Sequence, residues 1–264
     1  MHRLTPDQTT AAKRVIVTTS WDDGHPLDLR LADTLARHRM RGTFYVPIDY
    51  PACPRMTWNE VRHVRDMDME IGARAATHPR MSEISGHDVS RELRQGKDLL
   101  EQALDHPVTS FCFPEGQHIA RLAPLLRAAG YHSARTTVSF RTDAELDPFA
   151  MPVTFQLWPH ARKAIAQHAL KTGNLRGLAA WAARWGGEVD LPRLAETILN
   201  DLERTGGVLH IWGQSWAIEQ AGLWPLLDRV LERISHRPGV EYLTNRQLLP
   251  GARGRCYQPV SCFA

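Results

Sequence analysis

Hydrophobic and polar positions along the chain follow two alternating patterns. Short runs of β-branched and aromatic residues predict strands, and the longer segments between them carry leucine and alanine at helical spacing. The predicted strands cover residues 14–21, 42–48, 69–75, 108–113, 132–137, 152–158, 208–212 and 240–243. Regular alternation of strand and helix is typical of βα units in a mostly parallel sheet. Seven or eight such strands suit an α/β barrel.

The segments between the strands show helical periodicity. Leucine and alanine recur at helical spacing in residues 27–39, and Thr57 followed by Glu60 is a capping box that predicts a helix to about Asp66. Further helices are predicted over residues 88–104 and 222–234. Each predicted helix lies between two predicted strands, as the crossover of a βα unit does.

Chain length favours a single domain. With 264 residues, 43% of them hydrophobic, one sizeable core is expected, and we predict one barrel domain over residues 1–250. Residues 160–204 are longer than one crossover needs and contain two helical segments broken by Gly186, Gly187 and Pro192. We interpret them as a helical insertion of the same barrel. For residues 251–264 we predict a loosely ordered tail.

Composition argues against several classes of partner. Lysine and arginine (32) barely exceed aspartate and glutamate (29), without a basic block of the kind that binds nucleic acid. No apolar run reaches about 18 residues, and residues 1–14 lack the apolar core of a secretion signal, so we expect a cytoplasmic protein without a membrane span. For Cys256 and Cys262 we expect reduced thiols, not a disulfide or a metal site.

The first predicted strand ends abruptly in two carboxylates and a glycine, Asp22, Asp23 and Gly24. In a β/α barrel the active site forms at the carboxyl ends of the strands, where paired acids serve catalysis. Adjacent residues at a strand end point to different sides, so one carboxylate can hold a cation while its neighbour works as a base. An ordinary Asp-Asp-Gly turn is the alternative explanation.

Three further strands end in polar or reactive side chains. The third runs into a loop that carries His78, and neutral imidazole is a common metal ligand. After the fourth, a proline and a glycine leave Glu115 near the barrel mouth. The seventh carries His210 and then Trp212 and Trp216, whose flat faces suit a sugar ring, although tryptophans also plug barrel ends. The shared location of these segments favours one common site.

These four segments, in this order and spacing, resemble the motifs of the polysaccharide deacetylases, the NodB-like or carbohydrate esterase family 4 group. The resemblance spans roughly residues 14–249 and is closest to a bacterial subgroup that reads TSWDDGHPLD at the first motif. Some members of that subgroup accompany O-antigen or other surface-polysaccharide synthesis. The resemblance implies a distorted (β/α) barrel with about seven strands. It also implies a hydrolase that removes an acetyl group from an amino sugar or glycan precursor, and an N-acetyl group is the expected target.

The resemblance also implies roles for individual residues. Asp22 matches the general base, His210 the general acid, and Asp23 and His78 two ligands of zinc or a related divalent ion. In the family this ion activates a water molecule against the acetyl carbonyl. We expect the carbohydrate to contact Glu115, Trp212, Gln214, Trp216 and His25.

The chain departs from the family pattern at three positions. Arg74 stands where the first ligand histidine is expected, and a guanidinium has no lone pair for a cation and would repel one. That leaves two protein ligands where a catalytic zinc site normally has three. Glu115 stands where the subgroup commonly has arginine, and Gln214 where it has histidine.

Three explanations of Arg74 stay open at this point. Arg74 replaces the metal ion as the positive charge facing Asp22, Asp23 and Glu115; or His25, solvent or substrate completes the metal site; or the arginine is a strain-specific lesion or sequencing error. The predicted function is therefore a metal-dependent carbohydrate deacetylase. The alternative is a catalytically impaired, metal-free, carbohydrate-binding homologue.

Overall fold

A parallel sheet forms the centre of the computed structural model, which describes residues 13–116 and 120–251. Its strands are β1 (Val15–Asp22), β2 (Gly42–Val46), β3 (Glu70–Ala73), β4 (Ser110–Cys112), β5 (Ser133–Arg135), β6 (Phe155–Gln156), β7 (Gly207–Gly213) and β8 (Val240–Tyr242). Their order across the sheet is β5-β4-β3-β2-β1-β7-β6, and β8 pairs with β1. All eight predicted strands are therefore present: six are shorter than predicted, β1 is shifted by one residue, and β7 is longer by one residue at each end.

Strand β1 lies at the middle of the sheet, and all eight of its residues are buried. One edge of β1 pairs with β7 from Val15 to Trp21, and the other pairs with β8 at its beginning and β2 at its end. Because both faces are covered, β1 contains a nearly continuous run of apolar and small residues. Its carboxyl end delivers Asp22 to the interior of the fold.

The sheet curls so that its two edge strands approach each other. An isolated parallel bridge joins Arg135 on β5 to Met151, four residues before β6. Met151 also exchanges backbone hydrogen bonds with Ala134 and Thr136. This confirms the predicted fold class, a distorted (β/α) barrel.

Helices occupy the segments between the strands. In the described residues they are α1 (Asp28–Arg37), α2 (Trp58–Asp66), α3 (Gly86–Leu104), α4 (Ala123–Ala128), α5 (Arg162–Lys171), α6 (Leu175–Ala179), α7 (Leu191–Thr205), α8 (Ser215–Gln220) and α9 (Trp224–Ile234). Short 3-10 turns cover Pro114–Gly116, Ala120–Leu122 and Arg246–Leu248. The predicted capping box of Thr57 and Glu60 opens α2. Helix α8 was not predicted, and α9 begins at Trp224, two residues later than expected.

The segment between β6 and β7 contains three helices, where the sequence predicted two helical segments. Gly173, with a φ of 68°, separates α5 from α6, and a π-helical turn (Ala180–Arg184) extends α6. Gly186 and Gly187 end that turn as predicted, but Pro192 lies in the first turn of α7 and does not interrupt a helix. Proline is favoured in the first turn of a helix because an N–H group there has no acceptor within the helix, so the lack of one costs no hydrogen bond.

The insertion packs against its own barrel through two buried tryptophans. Trp181 and Trp185 lie 5.9 and 6.4 Å from Phe140, measured between ring centroids. The indole of Trp185 donates a hydrogen bond to Asp201 on α7. This packing gives the mouth of the barrel a wall on the β6 side.

Some sequence predictions concern residues that the structure does not describe. Cys256, Cys262 and the tail beyond Gly251 lie outside the described residues; within them, Cys53 and Cys112 are free thiols. In the described ranges, no helix combines the length and apolar character needed to cross a bilayer.

Candidate functional site

The carboxyl end of β1 places two carboxylates in the interior. Asp22 is the last residue of β1, and Asp23 follows it with a φ of 82°. Asp22 and Asp23 are 1% and 3% exposed. Gly24 turns the chain against β2, since a Cβ on it would lie 2.9 Å from Val46. The local backbone therefore directs both acids into one site.

The loop after β3 carries Arg74 and His78 to the same site. Ala75 and His78 adopt left-handed φ angles of 62° and 57°, conformations that non-glycine residues occupy at some cost. Glu92 on α3 accepts hydrogen bonds from the backbone amides of Ala76 and Thr77, which fixes the loop. The ring of Tyr50 stacks on His78 at 4.2 Å between centroids. Sequence reasoning did not find Tyr50 or Glu92.

Arg74 lies between the two carboxylates and the histidine. Its Nη1 is 2.6 Å from Oδ2 of Asp22, and its Nε is 3.1 Å from Oδ1 of Asp23. The Nε–H itself points at His78 and donates a hydrogen bond of 2.8 Å to Nε2. The contact with Asp23 is therefore ionic, and Oδ1 of Asp23 has no hydrogen-bond donor within the described residues. Arg74 thus contacts Asp22, Asp23 and His78, the three residues predicted for base and metal chemistry.

A second buried arginine, which sequence reasoning missed, binds Asp22 from the other side. Nη2 of Arg135, the last residue of β5, forms a short ion pair with Oδ1 of Asp22. Its guanidinium packs between the rings of Tyr45 and Trp212, 5.3 and 5.1 Å from their centroids. The signal that could have revealed Arg135 in the sequence is an arginine within the predicted strand 132–137.

Cys112 on β4 completes the surroundings of Asp22. Nη1 of Arg74 donates to its sulfur at 2.9 Å, and the thiol donates to Asp22 at 3.8 Å. Burial raises the pKa of Cys112 to about 12, so the thiol is neutral. We call Asp22, Asp23, Arg74 and Arg135 the ion-pair cluster. Its formal charges, two negative and two positive, balance.

Protonation states follow from this arrangement. Burial alone would raise the pKa of Asp22, but Arg135 and Arg74 outweigh it and hold that pKa below its ordinary value. Burial and the charge of Arg74 lower the pKa of His78 to about 4, so its imidazole is neutral and accepts the hydrogen bond from Arg74. The site therefore combines an ionised Asp22 with a neutral His78.

The donor set does not fit a divalent cation. A third ligand is lacking because Arg74 occupies its position, and the lone pair of His78 Nε2 already accepts the proton of Arg74 Nε. Across the described ranges, no three of the histidine, cysteine, aspartate and glutamate side chains are grouped so that they could hold a metal ion. His25, considered as a replacement ligand, uses Nδ1 to accept from the amide of Leu27.

His210 lies below the site, in the barrel interior. It is 2% exposed, its Nε2 is 2.9 Å from the hydroxyl of Ser20, and its Nδ1 is 3.0 Å from the carbonyl of Pro152. Burial and nearby Arg135 lower the pKa of His210 to about 3, so the ring is neutral. Both ring nitrogens are engaged within the fold, and the role of general acid stays a prediction.

The predicted carbohydrate contacts fall into two cavities. Glu115, Trp212 and Gln214 line a cavity of about 490 Å³ together with Asp22 and Arg74. His25 and Trp216 line a second cavity of about 230 Å³ on the far side, together with Asp23. The indole of Trp216 donates to Asp23, so its polar edge is already used.

Glu115 does not pair with Arg74, as one sequence hypothesis supposed. Its carboxylate accepts from Arg80 at 2.8 Å, and both side chains are exposed. Its φ of 55° turns the chain at the end of β4, where Gly116 follows. Arg135, not Glu115, is the additional charged partner of the cluster. The reason is that β4 and β5 pair in a register that sets Cys112 beside Arg135, next to Asp22.

One family model matches just under half of the chain. Residues 7–134 match the sequence model of a family described as polysaccharide deacetylase. This segment contains Asp22, Asp23, Arg74 and His78. None of the curated proteins compared with the chain matches its sequence.

Solved structures share the fold at low sequence identity. A polysaccharide deacetylase homologue from Mycobacterium smegmatis is 14% identical, with a TM-score of 0.64 over 94% of this chain and 93% of that one. The chitin deacetylase of Colletotrichum lindemuthianum is 16% identical, with a TM-score of 0.56 over 91% and 89%.

A third structure is a pseudoenzyme. This protein of carbohydrate esterase family 4 from Bacillus anthracis is 12% identical, with a TM-score of 0.54 over 90% of this chain and 66% of that one. A mutant of it described as having restored enzymatic activity matches with the same TM-score. The family match covers residues 7–134, just under half of the chain, and the solved structures share its barrel, so the chain is similar to the polysaccharide deacetylases in this segment and in its fold.

Proposed function

We propose that this chain is a carbohydrate-binding member of its family that works without a metal ion. The observation that carries the proposal is the position of Arg74, whose guanidinium contacts Asp22, Asp23 and His78 at 3.1 Å or less. A permanent cation at the centre of the site replaces the charge that a divalent ion would supply. It does not supply the vacant coordination position at which such an ion activates water.

Asp22 is correspondingly a weak base. Both of its carboxylate oxygens accept from guanidinium groups, and its lowered pKa reflects that stabilisation. Proton transfer to Asp22 would have to break or weaken two buried ion pairs. The same contacts make Asp22 a rigid part of a binding surface.

The cavity beside the cluster supports carbohydrate binding. Trp212 lines it while Arg135 covers part of the ring, and Gln214 contributes a polar amide beside it. An aromatic face with adjacent hydrogen-bonding groups suits a sugar ring. The pseudoenzyme from Bacillus anthracis provides a precedent for loss of activity within this fold.

The second candidate is the deacetylation that the sequence predicted, acting on an amino sugar or a precursor of a surface polysaccharide in the cytoplasm. The observation that favours it is that Asp22, the expected base, lines the cavity of about 490 Å³. For this chain such a reaction would proceed with Arg74 in place and without the metal ligand set of the family.

The decisive experiment replaces arginine with the missing ligand. Purified wild-type protein, Arg74→His and the control Arg80→His are measured for bound zinc and for acetate release from acetylated chitooligosaccharides, with and without added zinc. We expect zinc uptake close to one ion per chain, and acetate release, only in Arg74→His. Arg80→His adds a histidine near the cavity but outside the ligand position, so it should behave as wild type.

Other outcomes separate the candidates. One tightly bound metal ion and metal-dependent acetate release in the wild type would refute the proposal. Acetate release by the wild type that Arg74→His abolishes would favour the second candidate, with Arg74 taking part.

Binding is tested separately. Chitooligosaccharide titrations followed by calorimetry should show saturable binding that Trp212→Leu weakens at least about tenfold, as expected for an aromatic residue that contacts the ligand. Trp58→Leu is the matched control. Trp58 is the first residue of α2, its ring packs under the guanidinium of Arg55, and it does not line the cavity.

A further inference from the structure

The cavity of about 490 Å³ beside the ion-pair cluster has two chemically different ends, and we infer that it binds a short saccharide carrying a covalently attached aliphatic chain. The inference rests on the proposed carbohydrate-binding function and specifies the class of ligand. One end lies at the strand termini beside the ion-pair cluster. The other lies beneath the helical insertion, whose apolar side chains contribute much of the lining there.

The barrel end keeps free hydrogen-bonding capacity. Arg74 uses Nε and Nη1 in its contacts with the protein, and no described residue accepts a hydrogen bond from Nη2. Gln214 donates to Asp23 through Nε2, and its Oε1 has no donor among the described residues. Arg74, Gln214 and the ring of Trp212 all line the cavity. This end therefore offers a donor, an acceptor and an aromatic face to a sugar.

The insertion end presents apolar side chains from three segments. Ile165 and Ala169 lie on one face of α5 at a spacing of four residues, and Leu191 and Leu194 lie at the start of α7 at a spacing of three. Phe140, held against Trp181, completes this wall. Burying an alkyl chain is favourable on such a surface.

Three of the polar side chains near this wall already form hydrogen bonds within the protein. The amide of Asn174 donates to the carbonyl of Ser139 and accepts from Gly177, and the carboxylate of Glu188 accepts from two backbone amides. Nε2 of His160 bonds to Gln156. Sugar hydroxyls placed here would lose their hydrogen bonds to water and find few new ones. An aliphatic chain has no hydrogen bonds to water to lose in the same place.

The size of the cavity also favours a small ligand. About 490 Å³ lies within the range of roughly 300–1,000 Å³ that is usual for small-molecule pockets. That volume accommodates a short saccharide with its chain. The ligand is therefore a substituted sugar unit and not a long glycan.

The test uses glycosides that share one sugar and differ in chain length. Methyl, butyl and octyl glycosides of N-acetylglucosamine are titrated into the wild-type protein below their critical micelle concentrations, with calorimetry as the readout. We expect affinity to rise by about two- to fourfold per added methylene as the chain enters the apolar end. Octanol without the sugar should bind at least about tenfold more weakly than the octyl glycoside.

Variants on α5 locate the chain. Ala164→Trp narrows the cavity from the helix, and Gln167→Trp adds the same side chain at an exposed position outside it. The first variant should weaken octyl glycoside binding at least about tenfold and leave methyl glycoside binding unchanged; the second should change neither.

Each outcome has a distinct meaning. Equal affinity for methyl and octyl glycosides would overturn the inference and leave carbohydrate binding intact. Binding of octanol as tight as that of the octyl glycoside would also overturn it. Failure of every glycoside and chitooligosaccharide to bind would overturn the proposed function itself.

Discussion

Arg74 holds the ion-pair cluster together because each of the two buried carboxylates contacts it. Without Arg74, Asp23 would keep only Gln214 and Trp216 as hydrogen-bond donors, and Asp22 would keep Arg135 and Cys112. An uncompensated charge in a buried site costs several kcal/mol, more than the pair itself contributes. The main electrostatic role of Arg74 is therefore to neutralise the two carboxylates.

Replacement of Arg74 by methionine should destabilise the protein strongly. We expect Arg74→Met to lower the free energy of unfolding by about 3–5 kcal/mol, measured by urea denaturation at pH 7.5, because it leaves one buried negative charge uncompensated. Arg80→Met breaks an exposed ion pair with Glu115 and should leave the unfolding midpoint almost unchanged.

A second substitution tests the cause. Asp23→Asn in the Arg74→Met background removes the one negative charge that is left in excess, so the double variant should recover part of the lost stability, read as a coupling energy in a double-mutant cycle. Stability of Arg74→Met equal to that of the wild type would contradict a stabilising ion-pair cluster.

Part of the candidate site was predictable residue by residue. Asp22, Asp23 and His78 were found because they stand next to strand ends within two short motifs, and Arg74 because the resemblance expects a ligand histidine at its position. Arg135 was not, because its contact with Asp22 depends on the pairing of β4 with β5 and on which way the β5 side chains point. A local motif contains neither piece of information.

At the scale of elements, helix α3 positions the loop that carries Arg74 and His78. Glu92 binds the backbone of this loop, and Gly96, one turn further along, lets the helix approach it closely. A Cβ on Gly96 would lie 2.8 Å from the carbonyl carbon of Ala75. The position of the site therefore depends on one close contact between helix and loop.

Alanine at position 96 should disturb this contact. Although alanine favours a helix by about 1 kcal/mol over glycine, we expect Gly96→Ala to reduce stability by about 1–2 kcal/mol, because backbone cannot easily move away from the new methyl group. Gly86→Ala, in the same helix with nothing within 4 Å, should be neutral or stabilising. Thermal denaturation of the two variants provides the measurement, and equal effects would contradict a specific role for Gly96.

Elements were predicted better than their ends. All eight strands were anticipated because buried runs such as residues 15–22 are rich in β-branched and aromatic residues, yet β6 has only two residues where seven were expected. Its length is set by pairing with β7 alone, a tertiary property. Likewise, Gly173 divides the insertion once more than predicted, since a single glycine inside a helical pattern does not reveal whether the helix continues across it.

At the scale of the whole molecule, buried histidines link stability to pH. His210 and His78 have pKa values lowered to about 3 and about 4, against about 6.5 in an unfolded chain. Between these values the unfolded chain binds more protons than the folded one, so stability falls as the pH is lowered from 6.5. The lowered pKa of Asp22 acts in the same direction only below about pH 4, where the carboxylates of the unfolded chain become protonated.

Substitution of His210 should reduce this pH dependence. Each buried neutral histidine contributes a slope of about 1.4 kcal/mol per pH unit below pH 6.5, and we expect His210→Gln to remove one such contribution. Urea unfolding at pH 7.5, 6.5, 5.5 and 5.0 gives the free energy of unfolding of wild type and variant. The difference between them at pH 7.5 measures the packing cost of the substitution. The slope of the free energy below pH 6.5 measures the proton that His210 takes up on unfolding. Identical slopes in wild type and variant would mean that His210 takes up a proton as readily in the folded protein as in the unfolded chain. That result would contradict its neutral, buried state and restore it as a candidate proton donor.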